Sequence, residues 1–434
     1  GTSPDPFVSD RTVDLMGNEF VGSPARPQPL GAFPLPAGYL LVPAGTGAEA
    51  AAVEDARRLL VEGRLPQEWP PSLDFLRLAH SGDIAGSLRL LGDAGDAVSR
   101  YNRYVLDPQS VDIAGVRDEL GELGVMVDVV QYATGETDAP PPAADETAEL
   151  RALVLATHAS QAVDEGRTQE AITLLLEAAE AARESSPPLA GQLLATAATM
   201  RRSIDGPVQD VVLALVEADR LLAGSELAVG RAEVHLELGS AYQELAGDRR
   251  DLLTKAISHY HAALSLIDVE SAPEIFASAQ VNVAAAYLTM PMIEATDQLR
   301  LGVAVGCLRA ALTVYHPETH PERWASTQLN LANALVYAPS THQGDNLVEA
   351  VELYEAVLGT RDRHVDPLGL ARVLANQGNA LAHLGVFDQA KAKLYEARFI
   401  FEEFEDVDSV RAVRGVLDEI SRQVALEGSE ALAT

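Results

Sequence analysis

The sequence predicts an all-α protein. From about residue 147 onward it reads as a right-handed superhelical α-solenoid of helical hairpins, preceded by a small helical domain and an extended N-terminal arm. Three observations carry this. The stretch PERWASTQLNLANAL, Pro321 to Leu335, recurs as PEIFASAQVNVAAAY from Pro273, as PLGLARVLANQGNAL from Pro367, and more weakly as RAEVHLELGSAY from Arg231. Self-similarity at a near-constant period is the signature of a repeat array, in which each unit buries its apolar face on its neighbours. Small and large residues also alternate at helical spacing through each copy, as closely packed helices require. Finally, the chain is 47% hydrophobic but only 5% aromatic, which suits alanine-rich helix packing and excludes general disorder.

Residues 1–45 form the expected arm. Pro24, Pro27, Pro29, Pro34, Pro36 and Pro43 deny it a helix, yet it carries Phe7, Val8, Leu15, Met16, Phe20, Phe33, Tyr39, Leu40 and Leu41. Two readings stand: an extended segment docking in a groove of its own chain or of a neighbour, which is a route to a homo-oligomer, or a disordered tail. Residues 46–134 read as a small helical domain, with helices over 48–62, 73–80, 84–91, 97–106 and 111–120. Its last apolar piece, VMVDVVQYA, fits a helix or a short strand. GETDAPPPAADE, 135–146, is a Pro-rich linker.

The hairpins then follow at about 147–184, 188–223, 229–267, 273–315, 321–359 and 367–403, with a capping helix over about 407–425 and an acidic tail within 404–434. Pro273, Pro321 and Pro367 suit a first helical turn, where the missing N–H has no partner to lose, and Asp366 is an expected N-cap. Glu274 and Glu322 favour the positive end of the helix dipole.

Aligned on a small residue, the first helices place Gly239, Ala284, Ala332 and Gly378 three before Tyr242, Tyr287, Leu335 and Leu381. The second helices place Ala256, Ala304, Ala350 and Ala390 four before Tyr260, Leu308, Tyr354 and Leu394, with Ala263, Ala311, Val357 and Ala397 three beyond. This arrangement resembles the tetratricopeptide repeat, over about 147–403. The last copy fits best, Ala159, Ala162, Ala171, Leu175 and Ala178 fit nearly as well, and the pair around 188–223 is degenerate. The family's usual period is about thirty-four residues; here the intervals between aligned small residues are 45, 48 and 46. From the last small residue of one hairpin to the first of the next is always 21, whereas the gap inside the hairpin is 17, 20, 18 and 12. Packing between repeats is therefore held in register while the loop within each hairpin floats. The P-E-x-W/F-A-x-x-Q-x-N pattern is similar to tetratricopeptide arrays of bacterial signalling and assembly proteins.

Two residues before each aligned small residue stands a polar one: Glu237, Asn282, Asn330 and Asn376. Asparagine is a mediocre helix former, and its amide offers two donors and an acceptor. Stacked helices would line these amides up, either to hold the backbone of an extended peptide or to bond helix to helix. The resemblance implies the first role, because asparagines at this place in the family line the peptide groove. Asn333 and Asn379, one past the small residue, extend the candidate site. Four before the asparagines stand Ser278, Ser326 and Arg372; only Arg372 with Asn376 matches the family's carboxylate-gripping pair. Gln280 and Gln328 point away from the asparagines and suit packing.

Nothing in the sequence calls for catalysis or a cofactor. Gly45-Thr46-Gly47 lacks the Lys-Ser/Thr of a phosphate loop, and there is no Gly-x-Ser-x-Gly elbow. The lone Cys307 reads as a small buried hydrophobe. In HPETHPE, His316 and His320 have a metal-like spacing, but Pro317 and Pro321 make it a loop, and no metal is expected. A formal charge of −32 repels nucleic acid and anionic membranes; it serves solubility or a basic partner. No leader is visible in GTSPDPFVSD, and no stretch approaches the ~18 apolar residues of a membrane helix, so a soluble cytoplasmic protein is expected. The function expected is a non-catalytic scaffold, adaptor or assembly factor holding a peptide or protein segment. Two alternatives remain: a regulator whose N-terminal arm occupies its own groove, and a small-ligand sensor or enzyme with a site between the two domains.

Overall fold

The computed structural model describes residues 27–93, 95–144, 146, 148–291 and 299–433. The arm residues Phe7, Val8, Leu15, Met16 and Phe20 lie outside them. Two compact units are formed, one by the described residues of Gly1–Val61 and Leu65–Pro141, the other by those of Glu62–Arg64 and Pro142–Thr434.

In the first unit the described part of the arm is packed rather than free. β1 (Gln28–Pro29) and β2 (Leu41–Val42) pair antiparallel, and Leu40, Leu41 and Val42 are wholly buried. The helices are α1 (Ala50–Val61), α2 (Asp74–His80), α3 (Ile84–Leu91), α4 (Ala97–Leu106), α5 (Val116–Glu119) and α6 (Val125–Ala133). Asn102, on α4 and 1% exposed, accepts from the Leu41 N–H at 2.8 Å and donates to the Leu41 carbonyl at 2.9 Å. Its amide thus acts as one more strand residue, satisfying backbone groups that burial would otherwise leave costly. Tyr101 donates to the Tyr39 carbonyl at 2.8 Å.

In this unit one open alternative is decided and one expectation changes. VMVDVVQYA is helix α6. The helix expected over 111–120 shrinks to α5, because the Asp112 carboxylate accepts from Ala114 N–H in a local turn and Gly115 takes a φ of 80° at the helix start. A short Asp side chain bonding its own backbone competes with helix at that point.

The second unit is a run of hairpins: α7 (Ala148–Asp164) with α8 (Thr168–Ala182), α9 (Pro187–Asp205) with α10 (Gln209–Leu222), α11 (Ala228–Ala246) with α12 (Arg250–Leu266), α13 (Pro273–Thr289) with α14 (Leu299–Ala311), α15 (Pro321–Tyr337) with α16 (Gln343–Leu358), and α17 (Pro367–His383) with α18 (Phe387–Glu403). α19 (Val407–Ala433) follows. Each helix packs on the next, so the unit is an all-α solenoid of the kind the periodicity predicts.

The aligned small residues account for the close packing. A Cβ at Gly239 would lie 2.4 Å from Tyr260, and one at Gly378 would lie 2.7 Å from Leu394. Ala284 and Ala332 are fully buried in one apolar cluster with Leu308 and Tyr354. Pro273, Pro321 and Pro367 each open a helix, and the Asp366 carboxylate accepts from Gly369 N–H at 2.8 Å as an N-cap does.

First helices of neighbouring hairpins touch at α9 with α11, α11 with α13 and α15 with α17. These contacts bring the same face of those first helices side by side. At the far end, Val410, Val413, Leu417 and Ile420 of α19 cover Ala371, Leu374, Leu381, Ile400 and Phe401. Among the described residues no helix is long and apolar enough to cross a membrane.

Candidate binding groove

The candidate groove consists of equivalent positions on the first helices of successive hairpins. The structure separates the six residues nominated from sequence. Asn333 Oδ1 accepts from the Tyr354 hydroxyl at 2.7 Å and from Asn376 Nδ2 at 3.0 Å. Asn379 Nδ2 reaches the Tyr337 hydroxyl at 3.4 Å. These three amides tie α15 to α16 and α17. Asn282 and Asn330 are half-buried, and their side chains have no hydrogen-bond partner among the described residues. The amides do not bond in a straight line: Asn376 pairs with Asn333, not with Asn330. Arg372 is exposed and its charge helps hold the Asp406 carboxyl below its usual range, after the Ser409 hydrogen bonds that contribute more. Asn376 is thus already engaged by the protein, whereas Arg372 makes no hydrogen bond or ion pair among the described residues.

Nearer the start of the array the first helices leave a cleft of ≈ 520 Å³ between α9, α11 and α13, with Arg323 of α15 at its rim. Gln192, Thr196 and Thr199 line one side, Glu233 and Glu237 another, and Glu274 and Ser278 a third. Glu237 is held by Arg202 at 2.8 Å. Glu274 is held by Arg323 at 3.2 Å and by His320 at 3.4 Å, which together keep its carboxyl below the usual range, the His320 hydrogen bond contributing most. Glu233 has no hydrogen bond or ion pair among the described residues. Lost hydration in the cleft, and behind it the Glu237 charge, push its carboxyl up.

Sequence reasoning passed over this cleft, although the signal was there. Glu233 stands four before Glu237, the same offset as Ser278, Ser326 and Arg372 from their asparagines. Gln192 and Thr196 stand six and two before Ala198, which identifies Ala198 as the aligned small residue of the hairpin read as degenerate. The HPETHPE loop supplies His320 to the rim ion pair, and among the described residues no three His, Cys, Asp or Glu side chains are grouped as a metal site would need. The Cys307 thiol is half-buried, and burial pushes it up. Gln328 leaves its side-chain oxygen buried and unpaired.

A second polar cluster, His235 with His259, was also missed. Their Nδ1 atoms are 3.1 Å apart, His235 Nε2 is 3.4 Å from Asp219, and Arg231 Nε donates to Asp219 at 2.7 Å. His259 stacks on Tyr242, and Lys255 Nζ lies over the Tyr242 ring, 5.6 Å from its centre. With both rings neutral, His259 Nδ1–H donates to His235 Nδ1 and His235 Nε2–H faces the carboxylate. Burial lowers both histidines, most directly by desolvation. A histidine lowered in the folded state binds fewer protons there than in the unfolded chain just below its ordinary value of about 6.5, so stability is full above that value and falls as pH drops through it. Urea midpoints should therefore fall between about pH 7.5 and pH 5, and the fall should be smaller in His259→Gln. Equal slopes in the two proteins would remove this cluster as the cause.

No family model matches the chain, and no curated protein matches it. Among the solved structures that match is the crystal structure of a Rap protein complexed with Competence and Sporulation Factor. The identity is 12%, the TM-score is 0.39, and the match covers 82% of this chain and 97% of that one.

Proposed function

We propose that this is a non-catalytic interaction scaffold of the extended-period tetratricopeptide kind, whose groove along the first helices holds an extended protein or peptide segment. One observation carries the reading. Equivalent positions on successive first helices carry polar groups, and two of their amides, Asn282 and Asn330, are left without hydrogen-bond partners among the described residues at half-buried sites. A backbone laid along such a wall supplies acceptors and donors at regular spacing, and half-buried amides gain more from that exchange than exposed ones do.

The described part of the expected arm does not favour occupation of the groove by the chain itself. Leu40, Leu41 and Val42 are buried in the first unit and held there by Asn102.

The test uses peptides of about twelve residues selected from a random displayed library on the full chain. Asn282→Ala combined with Asn330→Ala should weaken the selected peptides by about tenfold or more with the thermal midpoint unchanged, because neither amide supports the fold. Asn376→Ala should lower the midpoint instead. Selected peptides that ignore the double substitution would count against the groove.

A further inference from the structure

The cleft between α9, α11 and α13 differs from the rest of the groove in one respect: it holds a carboxylate that nothing in the protein neutralises. Three carboxylates line it. Glu237 has Arg202, and Glu274 has Arg323 and His320. Glu233 is exposed at the mouth of the cleft, has neither cation nor hydrogen-bond donor among the described residues, and stands one helical turn from Glu237 on the same helix. Like charges at that spacing disfavour each other.

The rest of the lining suits a particular kind of occupant. Ala195, Met200, Leu236 and Ile275 are apolar, half-buried, and face the same space as Glu233. An apolar floor ending in a bare carboxylate fits a side chain that is itself apolar along its stem and cationic at its tip. Thr196, Thr199 and Ser278 add hydroxyls around the head of such a side chain.

Resting on the groove reading above, we infer that this cleft is the specificity pocket of the groove, and that it receives one lysine or arginine side chain of the bound segment, with Glu233 as its counter-ion. The methylene stem lies on Leu236, Ala195, Met200 and Ile275. The cation supplies the charge that Glu233 lacks and offsets its repulsion from Glu237. The chain's own first residues carry a net negative charge, which an acidic cleft disfavours. Residues 1–26 carry Asp5, Asp10, Asp14 and Glu19 against Arg11 and Arg26. With a formal charge of −32, the protein as a whole also draws in basic segments at low salt.

The experiment begins with the same displayed random library. Peptides whose binding is lost in Thr196→Trp, a substitution that fills the cleft from its exposed wall, are retained and synthesised. The retained peptides should share a lysine or arginine at one fixed position. They should bind Glu233→Gln about tenfold more weakly than the unaltered chain, and Glu270→Gln, a change in an exposed loop, equally well. Replacing the shared basic residue by glutamate should abolish binding to the unaltered chain and restore it in part to Glu233→Lys. Glu233→Gln is isosteric, and an unchanged circular dichroism melt shows that its fold is intact. Retained peptides with no shared basic position, or with equal affinity for Glu233→Gln, overturn the pocket and leave the groove standing. If no selected peptide responds to Thr196→Trp or to the double asparagine substitution, the groove itself falls and the pocket with it.

Discussion

Replacing Tyr354 by alanine should destabilise the solenoid by about 3–5 kcal/mol, the usual cost of removing a buried aromatic ring and leaving its cavity. Tyr354 is 1% exposed and belongs to the apolar cluster that holds Leu308, Ala332, Leu335 and Val357. Its hydroxyl also donates to Asn333, which in turn accepts from Asn376. Ring and hydroxyl separate cleanly by substitution. Tyr354→Phe keeps the packing and leaves Asn333 its bond from Asn376, so it should cost only about 1 kcal/mol. In an array where each repeat touches only its neighbours, the damage is local. Hydrogen exchange should accelerate over 321–403 and much less over 148–222. A Tyr354→Ala protein within about 1 kcal/mol of the parent would show that the ring is not what holds these hairpins together.

The second large effect comes from adding atoms. Gly239→Leu should cost about 3 kcal/mol, at the upper end for overpacking a well-filled core. A Cβ alone at Gly239 would meet Tyr260 Cε1 at 2.4 Å and Cδ1 at 2.6 Å. Tyr260 cannot easily yield, being 1% exposed with its hydroxyl bonded to Gln243 at 2.7 Å. The equivalent position two hairpins on is Ala332, which sits opposite another tyrosine, so α11 and α12 approach too closely for even the methyl tolerated there. Gly306 is the internal control. It lies on α14 with nothing within 4 Å of its would-be Cβ. Gly306→Ala should be neutral or stabilise by about 0.5–1 kcal/mol, since it only removes backbone freedom from a helix. Chemical denaturation of the two variants should give shifts of opposite or unequal sign; equal shifts would mean that the contact at Tyr260 does not set the cost.

Which parts of this molecule can be read from its residues follows from where the information lies. The helices of the array announce themselves because a helix is a local object. Pro273, Pro321 and Pro367 mark starts, the small and large residues mark faces, and the constant spacing of 21 between Ala263 and Ala284, Ala311 and Ala332, or Val357 and Gly378 reports contact between repeats. Contacts that depend on how two helices are staggered leave no such trace. That Asn376 meets Asn333 instead of Asn330 is a matter of a single helical turn of offset. The pairing of His235 with His259, and of Asn102 with Leu41, likewise joins residues with no shared motif. The short helix at Val116 failed for a local reason that residue type alone states weakly: Asp112 and Gly115 both tolerate helix and both favour its interruption. The candidate groove was legible as a set of positions. What each position does depended on which side chains the protein had already engaged, and that is a property of the packed structure.

The helix that closes the array has a consequence for the molecule's behaviour among copies of itself. In a stack of equivalent units, the outer face of the last is shaped to accept another first helix, which makes an uncovered end adhesive toward any chain with a free start. Head-to-tail contacts of that kind do not close on themselves and propagate into filaments. Val410, Val413, Leu417 and Ile420 of α19 lie across that face, so the last hairpin offers no open slot there to the first helix of another copy.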